Sequence, residues 1–241
     1  FKAVNVEGTR NVMECALEKK VSKVVHVSSL IIYGKPNEVP IREDTKPGPE
    51  RFSKYARTKY KGDQIVWDLY DQKNLPLVVV YPAAVIGPGD PKASGEYVAG
   101  LVNKTLPATV FSESVLTWVH VKDVASAIIK AAEKSNNTGE KYIIGKHQIS
   151  FKDFNKMISE ISGVSLPLIS MPDFLSISSA YLLTAISDIV KKPPLWGMAI
   201  DQMKTMKEGF IGEGSKAEKE LGLQYTPIRK ALKEQIAALN N

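Results

Sequence analysis

Tyr55 and Lys59 stand four residues apart in the run Tyr55-Ala56-Arg57-Thr58-Lys59. On a helix, that spacing puts a phenol and an ammonium on one face. A neighbouring ammonium favours the phenolate, so a group that titrates at about 10 in water can serve as a base. Upstream, the apolar run Val24-Val25-His26-Val27 ends in Ser28-Ser29. A hydroxyl at such a strand end can hold a substrate oxygen while a proton moves. This set of groups suits the interconversion of an alcohol and a carbonyl, and that chemistry requires a hydride acceptor.

The elements that must position these groups follow from the pattern of apolar residues. Residues 4–19 read as an amphipathic helix with Val4, Val12, Met13, Ala16 and Leu17 on its buried stripe, and Cys15 packs on that apolar side. Residues 23–28 are nearly all apolar, as a parallel strand covered on both faces should be. Pro36, Pro40, Pro47 and Pro49 punctuate a loop reaching about residue 51, a length usually associated with function. A helix over 52–73 carries Tyr55 and Lys59, and 75–81 is the next buried strand. A helix over 98–105, a strand over 117–121, a helix over 124–134 capped by Asp123 and a strand over 141–144 complete the alternation. It predicts an α/β fold with a doubly wound parallel sheet. Beyond residue 146 the pattern turns helical: 151–162 with Ser150 as its cap, then 172–190, 195–208, 215–222 and a final helix to about 238.

Five motifs occur in order along this framework. They are Asn5-Val6-Glu7-Gly8-Thr9-Arg10-Asn11-Val12, Ser28-Ser29 followed by Tyr33-Gly34, Tyr55 with Lys59, Tyr81-Pro82 followed by Gly87-Pro88-Gly89-Asp90, and Val119-His120-Val121-Lys122-Asp123-Val124-Ala125. Together they resemble the extended short-chain dehydrogenase/reductase superfamily, which includes NAD-dependent epimerases and dehydratases. Within it the chain is similar to the 3β-hydroxysteroid dehydrogenase and dihydroflavonol-reductase-like branch. The resemblance implies a Rossmann-type domain over 1–146, with a substrate-loop insertion at about 88–117, and a smaller helical substrate domain over 147–241. It implies that Tyr55 is the general acid or base, and that Lys59 lowers the pKa of Tyr55 and binds the nicotinamide ribose. It implies that Ser29, four residues before Tyr33-Gly34, hydrogen-bonds the reacting oxygen. Pro82 and Ala83 would pass beneath the nicotinamide with backbone contacts, with Tyr81 standing where the family often has Arg. NAD or NADP is the implied cofactor, and helices 4–19 and 52–73 the implied homodimer contact. His120, with Asp123, reads as structural, joining the sheet to the following helix, and Asn5 as a tie from helix to loop.

Such enzymes open with a glycine-rich strand-turn-helix that receives the pyrophosphate. No GxxGxxG or GxGxxG follows a strand in these 241 residues. The expectation is therefore a chain that lacks an N-terminal part of roughly 80 residues, judged from the size of βαβ units. On that reading the strand at 23–28 presents an unpaired edge, and the chain alone neither binds a dinucleotide tightly nor behaves as a well-folded monomer.

Composition narrows the remaining classes. At 44% hydrophobic and 24% charged, the chain has ample material for a core and reads as a soluble, cytoplasmic protein. The net charge of +6 is spread among acids, as in Glu218-Lys219-Glu220, without a basic block, so no nucleic-acid partner is expected. One cysteine excludes an internal disulfide, and no metal site is expected. The apolar stretch Phe174–Val190 is at the lower limit for spanning a bilayer and contains Asp188, so no stable membrane insertion is expected. A helix covering a small-molecule substrate is the favoured reading there, and interfacial contact the lesser one. The leading function is an NAD(P)-dependent oxidoreductase acting on a secondary alcohol or ketone. A nucleotide-sugar epimerase or dehydratase is the alternative, but Ala84 stands where such members commonly have Asn, and Leu30-Ile31 where dehydratases have an acidic pair. A non-catalytic NAD(P)-sensing protein or an inactive fragment is the third reading.

Overall fold

The computed structural model describes residues 1–90, 94–192, 194 and 199–239. A π-helical turn, Ala3–Gly8, leads into α1 (Thr9–Glu18), β1 (Val24–Val27), a 3₁₀ turn at Leu30–Tyr33, α2 (Lys54–Lys73), β2 (Leu77–Pro82) and β3 (Ala84–Ile86). Then come α3 (Ser94–Val102), β4 (Thr109–Val110), β5 (Val115–His120), α4 (Val121–Glu133), β6 (Lys141–Ile144) and β7 (His147–Ser150). The chain finishes with α5 (Phe151–Ser162), β8 (Ser170–Met171), α6 (Asp173–Val190), α7 (Ile200–Glu208), α8 (Ser215–Leu221) and α9 (Ile228–Ala238). The start of the helix expected over 195–208 falls on residues 195–198, which lie outside the described residues. The chain forms two compact units: Phe1–Ala83, Lys122–Lys146 and Phe210–Tyr225 in the first, and Ala84–Val121, His147–Gly209 and Thr226–Asn241 in the second.

The first unit is built on a parallel sheet of order β1-β2-β6, with Val25 opposite Val78 and Val80 opposite Tyr142. Leu77 to Val80 and Tyr142 to Ile144 are fully buried, which accounts for their apolar sequence without alternation. Among the described strands β1 bonds to β2 alone, leaving its other edge without a ladder. Ser53 is extended and its hydroxyl accepts from the Ala56 amide at 3.0 Å, which starts α2. Asn74 ends it in the left-handed conformation, at φ 54°.

Gly62 lies inside α2, where glycine weakens a helix. A Cβ there would run into the Asn5 carbonyl, so the glycine lets the π turn close on α2. Asn5 then donates to Thr58 Oγ1 at 3.0 Å, tying helix to helix rather than helix to loop. The proline-punctuated loop is anchored as well. Ile41 is buried and bridges to Gly212, and the Ile143 amide donates to Glu43 Oε1 at 2.9 Å.

Three readings of this unit are corrected. Val4 and Val12 are 75% and 63% exposed, and Cys15 is exposed too, because the π turn and α1 lend the core only the side that meets α2, through Val6 and Met13 respectively. Asp123 sits inside the first turn of α4, buried, rather than capping it.

In the second unit β5 pairs parallel with β3 and antiparallel with β7, while β4 pairs with β8. Its core stacks Trp118 on Phe154 with centroids 4.0 Å apart, with Phe151 and Tyr97 edge-on to the cluster. Ser150 caps α5 as expected, accepting from the Asp153 amide at 3.1 Å. Buried His120 faces Glu234 across 3.3 Å, which ties β5 to α9. The strands β3, β4, β7 and β8 run two to four residues, too short for periodicity to reveal them.

Two predictions follow from the first unit. Burial, aided by the Lys59 charge, lowers His26 to about 4. The unfolded chain therefore takes up the proton first, and stability present above the ordinary histidine range is lost as pH falls toward 4. His26 should cost about 2 kcal/mol by pH 5. Comparing urea midpoints of wild type and His26→Leu between neutral pH and pH 5 isolates this loss from the buried acids Asp63 and Glu43. Burial raises those two, so they act in the opposite sense. Gly62→Val should destabilise the unit by about 1–3 kcal/mol through overpacking against the Asn5 carbonyl, read as a lowered melting midpoint, while Gly163→Ala, with open space around it, tests left-handed strain alone.

Candidate active site

Ser29, Tyr55 and Lys59 all belong to the first unit. Ser29 is the extended residue that starts the 3₁₀ turn after β1, and its Oγ accepts from the Ile31 amide at 3.4 Å. Its hydroxyl lies near enough to the Tyr55 phenol to favour the charged form of that group. Tyr55 lies in the first turn of α2, 36% exposed, with the Phe1 ring edge-on at 5.7 Å. One turn further, the Lys59 ammonium donates to the Val27 carbonyl at 2.9 Å, at the carboxyl end of β1. A capped helix and a strand end thus bring the three groups together.

The electrostatics differ from the simple expectation. Burial pushes the Tyr55 phenol up, with the Ser29 hydroxyl opposing it. Burial also lowers Lys59, against the support of the Asp63 carboxylate. The ammonium is directed at the Val27 carbonyl, and the phenol is held in its neutral form.

Pro82 ends β2, Ala83 follows it, and both are buried. Pro82 stands opposite Ile144, and the Ala83 amide donates to the Ile144 carbonyl at 2.9 Å, so the sheet takes up that N–H. Tyr81 is tied to α2. Its hydroxyl donates to Asp63 Oδ2 at 3.2 Å and accepts from Trp67 Nε1 at 3.1 Å. Tyr60, next to Lys59 on α2, is covered by the Arg51 guanidinium 3.8 Å from its ring centre.

Asp63 is the residue that sequence reasoning missed. It is 5% exposed, and burial raises its carboxyl despite the nearby Ser28 and Tyr81 hydroxyls and the Lys141 and Lys59 charges. Its position gave a usable signal, since residues 55, 59 and 63 continue one helical face in steps of four. Behind it a cleft of about 220 Å³ is lined by Tyr33, Tyr60, Asp63, Trp67, Tyr81 and Lys141, and the Lys141 ammonium lies over the Trp67 ring at 4.6 Å. Among the described residues no cluster of His, Cys, Asp or Glu could hold a metal ion.

The chain is 26% identical to sterol demethylase protein B of Methylococcus capsulatus, over 97% of this chain and 71% of that protein. It is 24% identical to cinnamoyl-CoA reductase CAD2 of Medicago truncatula, over 97% of this chain and 65% of that protein. The crystal structure of gox2253 superposes with a TM-score of 0.80 at 32% identity, covering 99% of this chain and 72% of that one. The parallel sheet is of the Rossmann type found in such neighbours. Residues 1–145 match the family described as NAD dependent epimerase/dehydratase, and the chain belongs to that family of extended short-chain dehydrogenase/reductase enzymes.

Proposed function

We propose that this chain carries the proton-transfer site of an NAD(P)-dependent oxidoreductase that interconverts a secondary alcohol and a ketone. The observation that carries the reading is the Lys59 ammonium bonded to the Val27 carbonyl, at the end of the strand that delivers Ser29, with Tyr55 one turn back on the same helix and its phenol beside the Ser29 hydroxyl. Ser29 would hold the substrate oxygen, and Tyr55 would give a proton to it or take one from it. Lys59 is half-buried beside the strand end and has an ammonium to offer a ribose hydroxyl there. NAD or NADP, when bound, supplies the hydride chemistry. The groups present fit the nicotinamide end of such a cofactor: a partly exposed phenol and an ammonium at the carboxyl end of a parallel strand, where these sheets take ligands.

The dehydratase reading lacks a group it needs. The residues after Ser29 are Leu30 and Ile31, both buried and apolar, so no acid stands there to expel water. A homodimer through α1 and α2 accompanies the proposal, with Val4 and Val12 as exposed apolar residues on the π turn and α1.

The test is turnover of a ketone panel with NADH and NADPH, followed by nicotinamide absorbance. Tyr55→Phe and Ser29→Ala should each lower kcat by roughly 10²–10⁴-fold with an unchanged melting midpoint. In the alcohol-oxidising direction kcat/KM should rise with pH, since burial raises Tyr55 and leaves the phenolate scarce near neutrality. Tyr55→Phe should abolish that slope. Cofactor binding with no ketone turnover by the wild type, together with conversion of a nucleotide sugar, would overturn the proposal.

A further inference from the structure

The apolar side chains of α6 face outward. Ser176 and Ala180 are its buried residues, and Ser176 Oγ donates to the Pro172 carbonyl at 3.1 Å. Phe174 is 67% exposed, Leu182 63% and Ile189 80%, and Leu175, Tyr181 and Ile186 are exposed as well. At helical periodicity these six share one broad arc with Ser178 and Ala185, and that arc contains no charged residue. It runs the full 18 residues of the helix, a length of about 27 Å. Mean hydropathy along α6 is 1.3, yet only 11% of it is buried. An apolar core helix would be mostly covered.

Charge is arranged around this arc rather than within it. Lys191 and Lys192 are exposed immediately beyond the C-terminal end. On α7, the Lys204 ammonium lies 5.0 Å from the centre of the Tyr181 ring, which places a cation at the rim of the apolar strip. Asp173 occupies the first turn, where a carboxylate suits the helix N-terminus, and Asp188 falls on the flank of the arc. A helix crossing a bilayer would have to surrender its packing against α7, including the bond from the Ile200 amide to Thr184 Oγ1 at 2.9 Å. A helix lying along a bilayer keeps that packing.

We propose that α6 is a membrane-surface element: it lies in the plane of a phospholipid bilayer, its uncharged arc among the upper acyl chains and Lys191, Lys192 and Lys204 against headgroup phosphates. The arrangement matches an interfacial helix, whose binding grows with buried apolar area and with attraction to anionic lipid. It is independent of the role of Tyr55.

The experiment is sedimentation of the protein with vesicles of phosphatidylcholine, with and without a quarter of phosphatidylglycerol. Wild type should partition onto vesicles, more strongly when phosphatidylglycerol is present and less strongly in high salt. The double variant Leu182→Asp/Ile189→Asp, altered only at exposed positions, should lose about tenfold or more in partition coefficient with an unchanged melting midpoint. Lys191→Glu/Lys192→Glu should lose the preference for phosphatidylglycerol while keeping the residual apolar binding. Absence of partition by the wild type, or partition unaffected by Leu182→Asp/Ile189→Asp, overturns the proposal. So does a dimer in sedimentation velocity that the same double variant dissociates without any lipid binding, which would assign the face to a second copy of this chain.

Discussion

The Lys59 ammonium donates to the carbonyl of Val27, and that bond sets α2 on the final residue of β1. The strand end that delivers Ser29 and the helix that delivers Tyr55 are thereby held together. Neither element could do this alone, since β1 is four residues long and bonds to one neighbour only. Removing the lysine would leave a strand-end carbonyl without its charged donor and would loosen the helix at the turn where the chemistry sits.

The same helix carries several demands along one side. Ser53 starts it, Tyr55 and Lys59 face the strand end, Gly62 admits the Asn5 carbonyl, and Asp63 takes the Tyr81 hydroxyl. Two acids and bases in this row are opposed by their surroundings. Burial disfavours the charged form of Lys59 and of Asp63, while each favours the charged form of the other. His26, beneath them on β1, is kept neutral by the same burial and the same lysine.

Much of the framework was legible because it is written in long, periodic or capped segments. The β1, β2 and β6 runs are apolar on both faces, α2 and α5 begin at serines, and α6 is a long apolar stretch. The failures have a common physical source. Val4, Val12 and Cys15 lie on an apolar stripe, but a stripe does not say how much of it a neighbour covers, and α2 covers only one side. The apolar stretch of α6 is legible in the sequence, but how much of it lies exposed is not. Short strands such as β4 and β8 exist only through their pairing, which no local pattern encodes.

The amino-acid order by itself determined which groups could do chemistry. Spacing of four puts Tyr55 and Lys59 on one helical face wherever that helix lies, and the ordered motifs place the chain among extended short-chain dehydrogenases and reductases. Tertiary structure alone decided the state of those groups. A pKa depends on desolvation and on charges brought near from distant positions, so the neutral Tyr55, the raised Asp63 and the neutral His26 could be seen only once strands and helix had closed around them.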